Sequence, residues 1–136
     1  MADISIDDAV DQEWDLVALP GGMPGAEHLR DSKSLDAILK KQSSDDTKKY
    51  AAVCASPAVV LQSKGLLPSD GGSTCYPAPV FRDTLKDASD DSVVVQGNLV
   101  TSQGPGTSLK FALQLGEELF GKEKAEQIAK EMLVDR

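Results

Sequence analysis

Aromatic side chains make up only 4% of these 136 residues, histidine occurs once, cysteine twice, and positive charge is in short supply. Each scarcity removes a class of function. No window approaches the unbroken apolar run of about 20 residues that a membrane helix needs, so no membrane span is expected. Fourteen Lys and Arg against 22 Asp and Glu leave a formal charge of -8, a field that repels phosphate backbones and anionic lipid surfaces; neither nucleic acid nor membrane is an expected partner. His28 has no second histidine at ligand spacing, and Cys54 and Cys75 do not form a C-x-x-C pair, so no metal site is expected. No cofactor is expected either. The single histidine also speaks against a thiol protease or glutamine amidotransferase, which needs a histidine base: His28 sits between Glu27 and Arg30 and reads as a solvated helix position. No Arg follows Cys54 in a phosphate-cradling loop, which removes cysteine phosphatases. The chain opens Met1-Ala2-Asp3-Ile4-Ser5-Ile6-Asp7-Asp8, neither a secretory nor a transit-peptide pattern, so the expected compartment is the reducing cytoplasm and both cysteines read as thiols.

What remains is an ordinary globular composition, 40% hydrophobic and 26% charged, with enough chain for one domain over residues 1–136. Trp14 to Leu19 is a short apolar run that ends at Pro20-Gly21-Gly22, the punctuation of a buried strand running into a tight turn. Ala26, Leu29, Leu35, Ile38 and Leu39 then follow helical spacing, with Asp31-Ser32 capping a second helix over residues 33–42. Tyr50 to Cys54 is the next strand, and Pro57 suits the first turn of a helix that Gly65 closes. Ser73 to Tyr76 reads as a short strand, and Ser92 to Gln96 with Leu99 to Ser102 as a hairpin about Gly97-Asn98. Thr107 is the expected cap of a helix whose Leu109, Ala112, Leu113, Gly116 and Phe120 share one face; Gly121 ends it. A last helix carries Ala125, Ile128, Ala129 and Met132, with Leu133-Val134 extending its apolar contact. Short, wholly apolar strands alternating with helices predict a mostly parallel sheet covered on both faces, an α/β sandwich of three layers.

Within that framework one residue stands out chemically. Cys54 lies where a strand turns into a helix, so its sulfur is expected to face unpaired helix N–H groups that favour a thiolate. The small residues Ala51, Ala52, Ala55 and Ser56 suit a sharp strand-to-helix elbow, although the flanking glycines of the hydrolase elbow are missing. The plainer alternative is a buried cysteine used as a small hydrophobe. Gly21-Gly22 follows a neighbouring strand end, and in an open parallel sheet such turns gather on the rim where ligands bind. Their amides are candidate oxyanion donors, against the alternative of an ordinary turn. Gly104-Pro105-Gly106-Thr107 is a third turn on the same rim.

Three segments, D-L-V-A-L-P-G-G-M-P-G-A from Asp15, A-A-V-C-A-S-P-A from Ala51 and V-T-S-Q-G-P-G-T-S-L-K-F-A-L from Val100, occur in the order and at intervals similar to the signatures of the ThiJ/PfpI (DJ-1/PfpI) family. The terminal L-F-G-K-E-K-A from Leu119 resembles the closing helices of that family. The resemblance implies a flavodoxin-like α/β/α sandwich, with Cys54 as nucleophile or redox thiol, Gly21, Gly22 and Ala55 offering backbone donors, and Gly104 and Pro105 lining the same pocket. It also implies a glutathione-independent glyoxalase that turns methylglyoxal into lactate, or a deglycase of early glycation adducts, acting on small reactive aldehydes or glycated groups in carbonyl and oxidative-stress defence.

The chain departs from the family pattern in three respects. The opening strand-helix-strand unit, about 30 residues or more, has no counterpart before Met1, and by the resemblance it carries the acid/base glutamate and much of a homodimer interface. A truncated form with an incomplete sheet and a weakened homodimer is the corresponding expectation. Tyr76 stands where a histidine is usual, a phenol that hydrogen-bonds but scarcely titrates near neutrality. Gln103 replaces an arginine before Gly-Pro-Gly, removing a cation that draws anionic ligands. With no general base in view, a non-enzymatic redox sensor or chaperone-like protein built on Cys54 is the rival reading, and a form with little activity of its own is the third.

Overall fold

The computed structural model describes all residues from Met1 to Arg136. A four-residue helix α1 (Ile6–Ala9), capped by Ser5, leads into strand β1 (Leu16–Leu19). Helices α2 (Gly25–Asp31) and α3 (Lys33–Ser43) follow, and the Ser32 side chain accepts from the Leu35 amide, as the sequence predicts for that boundary. Strand β2 (Lys49–Val53) ends one residue before Cys54. Pro57–Leu61 forms a π-helical turn that tightens into a 3-10 turn at Gln62–Lys64, and Gly65, at φ +68°, closes it in the left-handed conformation that only glycine adopts cheaply.

The rest comprises a short helix α4 (Pro79–Arg82), the hairpin β3 (Val93–Gln96) and β4 (Leu99–Ser102), a 3-10 turn at Pro105–Thr107, and helices α5 (Ser108–Phe120) and α6 (Lys122–Glu131). The sheet order is β1-β2-β4-β3. β1 and β2 pair in parallel with Ala18 opposite Ala51, β2 and β4 in parallel with Ala52 opposite Thr101, and only the β3–β4 hairpin is antiparallel. Because β1 pairs with β2 and β2 with β4 in parallel, the C-terminal ends of β1, β2 and β4 point the same way. That shared rim brings the turns after Leu19, Val53 and Ser102 together.

Alternation along the strands divides the core between two faces. On one, Leu19, Ala52 and Leu99 pack with Leu35 and Leu39 of α3 and with Val60 and Leu61. On the other, Ala51 and Val100 pack against Phe111 of α5, flanked by Val53 and Leu115. This is the flavodoxin-like three-layer arrangement. Away from the rim, Lys49 at the start of β2 pairs with Glu118 of α5 at 2.8 Å. Glu13 is clasped by Lys41 and Lys48, whose hydrogen bonds hold its carboxyl down to about 2.

Four expectations about local structure are corrected. Ser73 to Tyr76 is not a strand and joins no ladder, because its backbone bonds go to side chains and to loop or turn groups rather than to a sheet edge. Its polar atoms are satisfied elsewhere: the Thr74 amide donates to Thr101 Oγ1 at 3.0 Å, and the Ser73 carbonyl accepts from the Ser89 amide. Thr107 does not cap α5. Its hydroxyl accepts from the Gly104 amide at 3.0 Å and closes the Gly-Pro-Gly turn instead. Of the expected α5 face, Leu113 is buried and Gly116 half-buried, but Leu109, Ala112 and Phe120 are exposed, and Phe111 is the second buried position. α5 rests on the sheet through Phe111 and Leu115 and also contacts α6, whose Ala125 and Ala129 are buried, while Leu109, Ala112 and Phe120 stay outward. Leu133 is likewise exposed, at φ +58°, where the chain turns out of α6.

Candidate active site

The rim of the sheet is built around a backbone conformation that costs energy. Cys54 has φ +64°, the left-handed region, in a residue with a Cβ; such a residue costs about 1–2 kcal/mol relative to ordinary backbone. Both of its backbone polar groups are held. Its amide donates to the Ser102 carbonyl at 3.0 Å, and its carbonyl accepts from the Tyr76 amide at 2.8 Å. The end of β4 and the segment before α4 thus fix the elbow between them. The thiol is half-buried, and the next residues, Ala55, Ser56 and Pro57, are buried.

Gly21 packs directly on this cysteine. A Cβ built there would lie 2.5 Å from the Cys54 Cβ, 3.0 Å from the Val53 carbonyl and 3.2 Å from Sγ, so only glycine fits the approach. Gly22, at φ +90°, turns the chain away again. The turn is tied down by Ser56, wholly buried, whose hydroxyl donates to the Pro20 carbonyl at 2.5 Å.

The third turn meets a different side of the elbow. Gly104 is buried against the Tyr76 ring, whose Cδ2 would stand 3.2 Å from a Cβ at that position, while Pro105 and Gly106 are exposed. Thr107 Oγ1 lies 2.7 Å from Ser102 Oγ, which reaches the Ser92 carbonyl at 2.7 Å. Tyr76 is 43% exposed and meets Phe81 edge to face with ring centroids 6.4 Å apart. Tyr76, Gln103, Gly104 and Pro105 help to line a shallow cleft of about 190 Å³. Gln103 is turned to the Asp90 carbonyl, to which its side-chain amide donates at 3.1 Å.

The expected residues therefore fall into two contacts. Gly21 and Cys54 touch, Tyr76 and Gly104 touch, and the Tyr76 amide joins the pairs through the Cys54 carbonyl. Cys54 itself is not among the walls of the Tyr76 cleft. His28 is exposed on α2. Cys75 is 1% exposed, packed with Ala58 and Leu85, and burial pushes its thiol up to about 11. No group of three or more His, Cys, Asp or Glu side chains is placed to hold a metal ion, and no helix is long and apolar enough to cross a membrane. The sequence marks Ser56 only as a small elbow residue and Thr107 only as a helix cap, and it gives no role to Ser102; their hydroxyl contacts at the site come from the structure. Their signal is faint: each is a small hydroxyl residue within three positions of a Gly or Cys turn.

An open α/β sheet with a cysteine on a left-handed elbow after its central strand, faced by a glycine turn from the next strand, defines a class of cysteine-centred flavodoxin-like proteins. Residues 1–118 match the model of the DJ-1/PfpI family, and the chain belongs to that family. It is 44% identical over 134 residues to Protein DJ-1 homolog B of Arabidopsis thaliana, covering 98% of this chain but 30% of that protein. Against Protein dj-1beta of Drosophila melanogaster the identity is 38%, covering 98% of this chain and 71% of the relative. The Caenorhabditis elegans protein named glutathione-independent glyoxalase DJR-1.2 is 31% identical, with 94% and 67% covered. Among solved structures, oxidized Toxoplasma gondii DJ-1 superposes with a TM-score of 0.91 at 42% identity, covering 99% of this chain and 72% of that one. The chain thus spans about a third of the length of its Arabidopsis relatives, 30% and 34% of the two.

Proposed function

We propose that this chain provides the nucleophile of a glutathione-independent glyoxalase or deglycase, working as one domain over residues 1–136 in a reducing, cytoplasmic compartment. The observation that carries the reading is the contact of Gly21 with Cys54 at a strained, half-buried elbow. It is supported by family membership and by the 31% identity to a relative named as a glyoxalase. In this mechanism the Cys54 thiolate adds to the aldehyde carbon of methylglyoxal, and the carbonyl electrons become an alkoxide for which the amides of Gly21, Gly22 and Ala55 are the donors. Proton transfer between the two carbons converts the hemithioacetal into a thioester, and water then releases lactate and restores the thiol. The net change is addition of one water to methylglyoxal. Tyr76, Gly104 and Pro105 would meet the substrate from the adjoining cleft, which reaches Cys54 only through the Tyr76 amide on the Cys54 carbonyl; small aldehydes or glycated groups are the substrates, with a homodimer as the working assembly.

The test is lactate formation from methylglyoxal by the native chain and by Cys54→Ala. Activity in the native chain that disappears in the variant supports the reading; equal activity in both removes Cys54 from the nucleophile's role. A redox-sensing role has one observation in its favour, a close structural neighbour whose form is oxidized, together with the half-buried thiol of Cys54. Mild peroxide followed by peptide mass mapping checks it, and an unmodified Cys54 beside an oxidised Cys75 would exclude it.

A further inference from the structure

Ser56 is wholly buried, one residue beyond Ala55, and its hydroxyl donates to the Pro20 carbonyl at 2.5 Å. This is a named side-chain link between the turn after β1 and the elbow after β2, and it sits beside the place where Gly21 closes on Cys54 to the point that a Cβ would overlap the cysteine's own Cβ. Gly22 makes no comparable contact, since a Cβ there would meet nothing within 4 Å. The approach of the turn, set up by the β1–β2 ladder up to Leu19 and Ala52, is thus tied at its end by this hydrogen bond and permitted by this glycine. We propose that Ser56 is a positioning residue for the Cys54 reaction: through the Pro20 carbonyl it holds the turn so that the Gly21 and Gly22 amides face the sulfur and the oxygen that becomes negative when the sulfur adds to a carbonyl. The role rests on the proposed function in taking Cys54 as the reacting atom.

The consequence has a sign that distinguishes positioning from mere support. If Ser56 only stabilises the fold, its removal loosens the rim and exposes Cys54, so that iodoacetamide alkylates the cysteine faster. If it holds amide donors against the sulfur, its removal leaves the thiolate less stabilised and alkylation at neutral pH slows. The experiment measures iodoacetamide alkylation of Cys54 in the full chain, assigned by peptide mapping, for the native protein, Ser56→Ala and Ser56→Thr, with thermal melting alongside. A slowing of about tenfold in Ser56→Ala, with recovery toward the native rate in Ser56→Thr, is the expected result. An unchanged or faster rate in folded Ser56→Ala overturns the proposal. If Ser56→Ala does not fold, Ser56→Gly, which leaves room for a water on the Pro20 carbonyl, takes its place with the same expectation. Failure of both to fold makes Ser56 a stability residue and ends the positioning role. Alkylation needs no turnover, so a protein that makes no lactate still answers this question, and the two proposals fail separately.

Discussion

The two cysteines share one chemical group and occupy opposite environments. Cys54 sits half-buried at φ +64° with Gly21 pressed on it, whereas Cys75 is 1% exposed, packed on Ala58 and Leu85, and carries a thiol pushed up to about 11 by burial. They lie close in the fold, since the Tyr76 amide next to Cys75 donates to the Cys54 carbonyl. The two thiols are therefore set apart by backbone conformation and neighbours, and not by residue type or by general proximity to the rim. A thiol without solvent or charge compensation keeps its proton; one at the open end of a parallel strand is available to an electrophile.

The strongest way to break this contrast is selective labelling. Cys54→Ala should lower total thiol alkylation at pH 8 by about a hundredfold, whereas Cys75→Ala should change it less than about twofold, because the buried thiol is neutral there and sterically closed. Rapid labelling of Cys75 in the Cys54→Ala protein would mean that the two sites are equivalent after all. Next in size is Gly21→Ala. Its methyl must displace the Cys54 Cβ or the Val53 carbonyl, neither of which is the free end of a flexible side chain. Overpacking of this kind costs about 1–3 kcal/mol, read as a lower urea midpoint, and it should pry the turn from the sulfur as well. A Gly21→Ala protein with native stability would show that the approach is looser than its geometry.

Cys75 also predicts a pH dependence. Its thiol is raised from an ordinary value near 9 to about 11 by burial, so the folded state binds this proton more tightly than the unfolded chain does. The resulting stability is fully present below about pH 9 and is lost as pH rises from there through about 11. Two units of difference correspond to on the order of 2–3 kcal/mol. Denaturant titrations at pH 8 and pH 11 should therefore show the native protein losing stability relative to Cys75→Ala by roughly that amount. A constant difference between the two proteins across this window would place the thiol in contact with water.

How much of this was legible in the sequence depends on whether a feature is local. Pro20-Gly21-Gly22, Gly65, Gly97-Asn98 and Gly121 each mark an element boundary because the requirement for an unusual φ or a missing Cβ is met by the residue itself. Strands β1, β2, β3 and β4 and helices α2, α3, α5 and α6 followed from those boundaries and from apolar spacing. Helices α1 and α4, four residues each, are too short to show a period. The direction in which α5 turns its apolar residues was misread because Leu109, Ala112 and Phe120 obey helical spacing as well as Phe111 and Leu115 do, and only tertiary packing chooses between the faces. At the site, Cys54 and Gly21 were legible as an elbow and a turn. Their contact, the left-handed φ and the Ser56 hydroxyl bond were not, since they depend on segments far apart in sequence, 36 positions for Ser56 to Pro20 and 48 for Cys54 to Ser102; Thr107 was legible as a hydroxyl at a helix start, but its local bond closes the Gly104 turn instead of capping α5.

The smallest expected effect sharpens the comparison most directly, because it separates what the elbow costs from what the sulfur does. Cys54 holds a left-handed φ that Cys75 does not. Alanine at position 54 keeps the Cβ and therefore the strain, whereas glycine removes both. The surrounding bonds, Cys54 amide to Ser102 carbonyl and Tyr76 amide to Cys54 carbonyl, are backbone bonds and survive either change. Gly21 also presses on the Cys54 Cβ, and glycine at position 54 relieves that contact too. Against these gains stands the greater chain entropy of glycine in the unfolded state, roughly 0.4–1 kcal/mol. With strain of about 1–2 kcal/mol, the balance favours Cys54→Gly over Cys54→Ala by about 1 kcal/mol, measurable as a higher urea midpoint with unchanged slope. If alanine proves the more stable of the two, the elbow is relaxed as built, and the strain at Cys54 is no part of what sets it apart from Cys75.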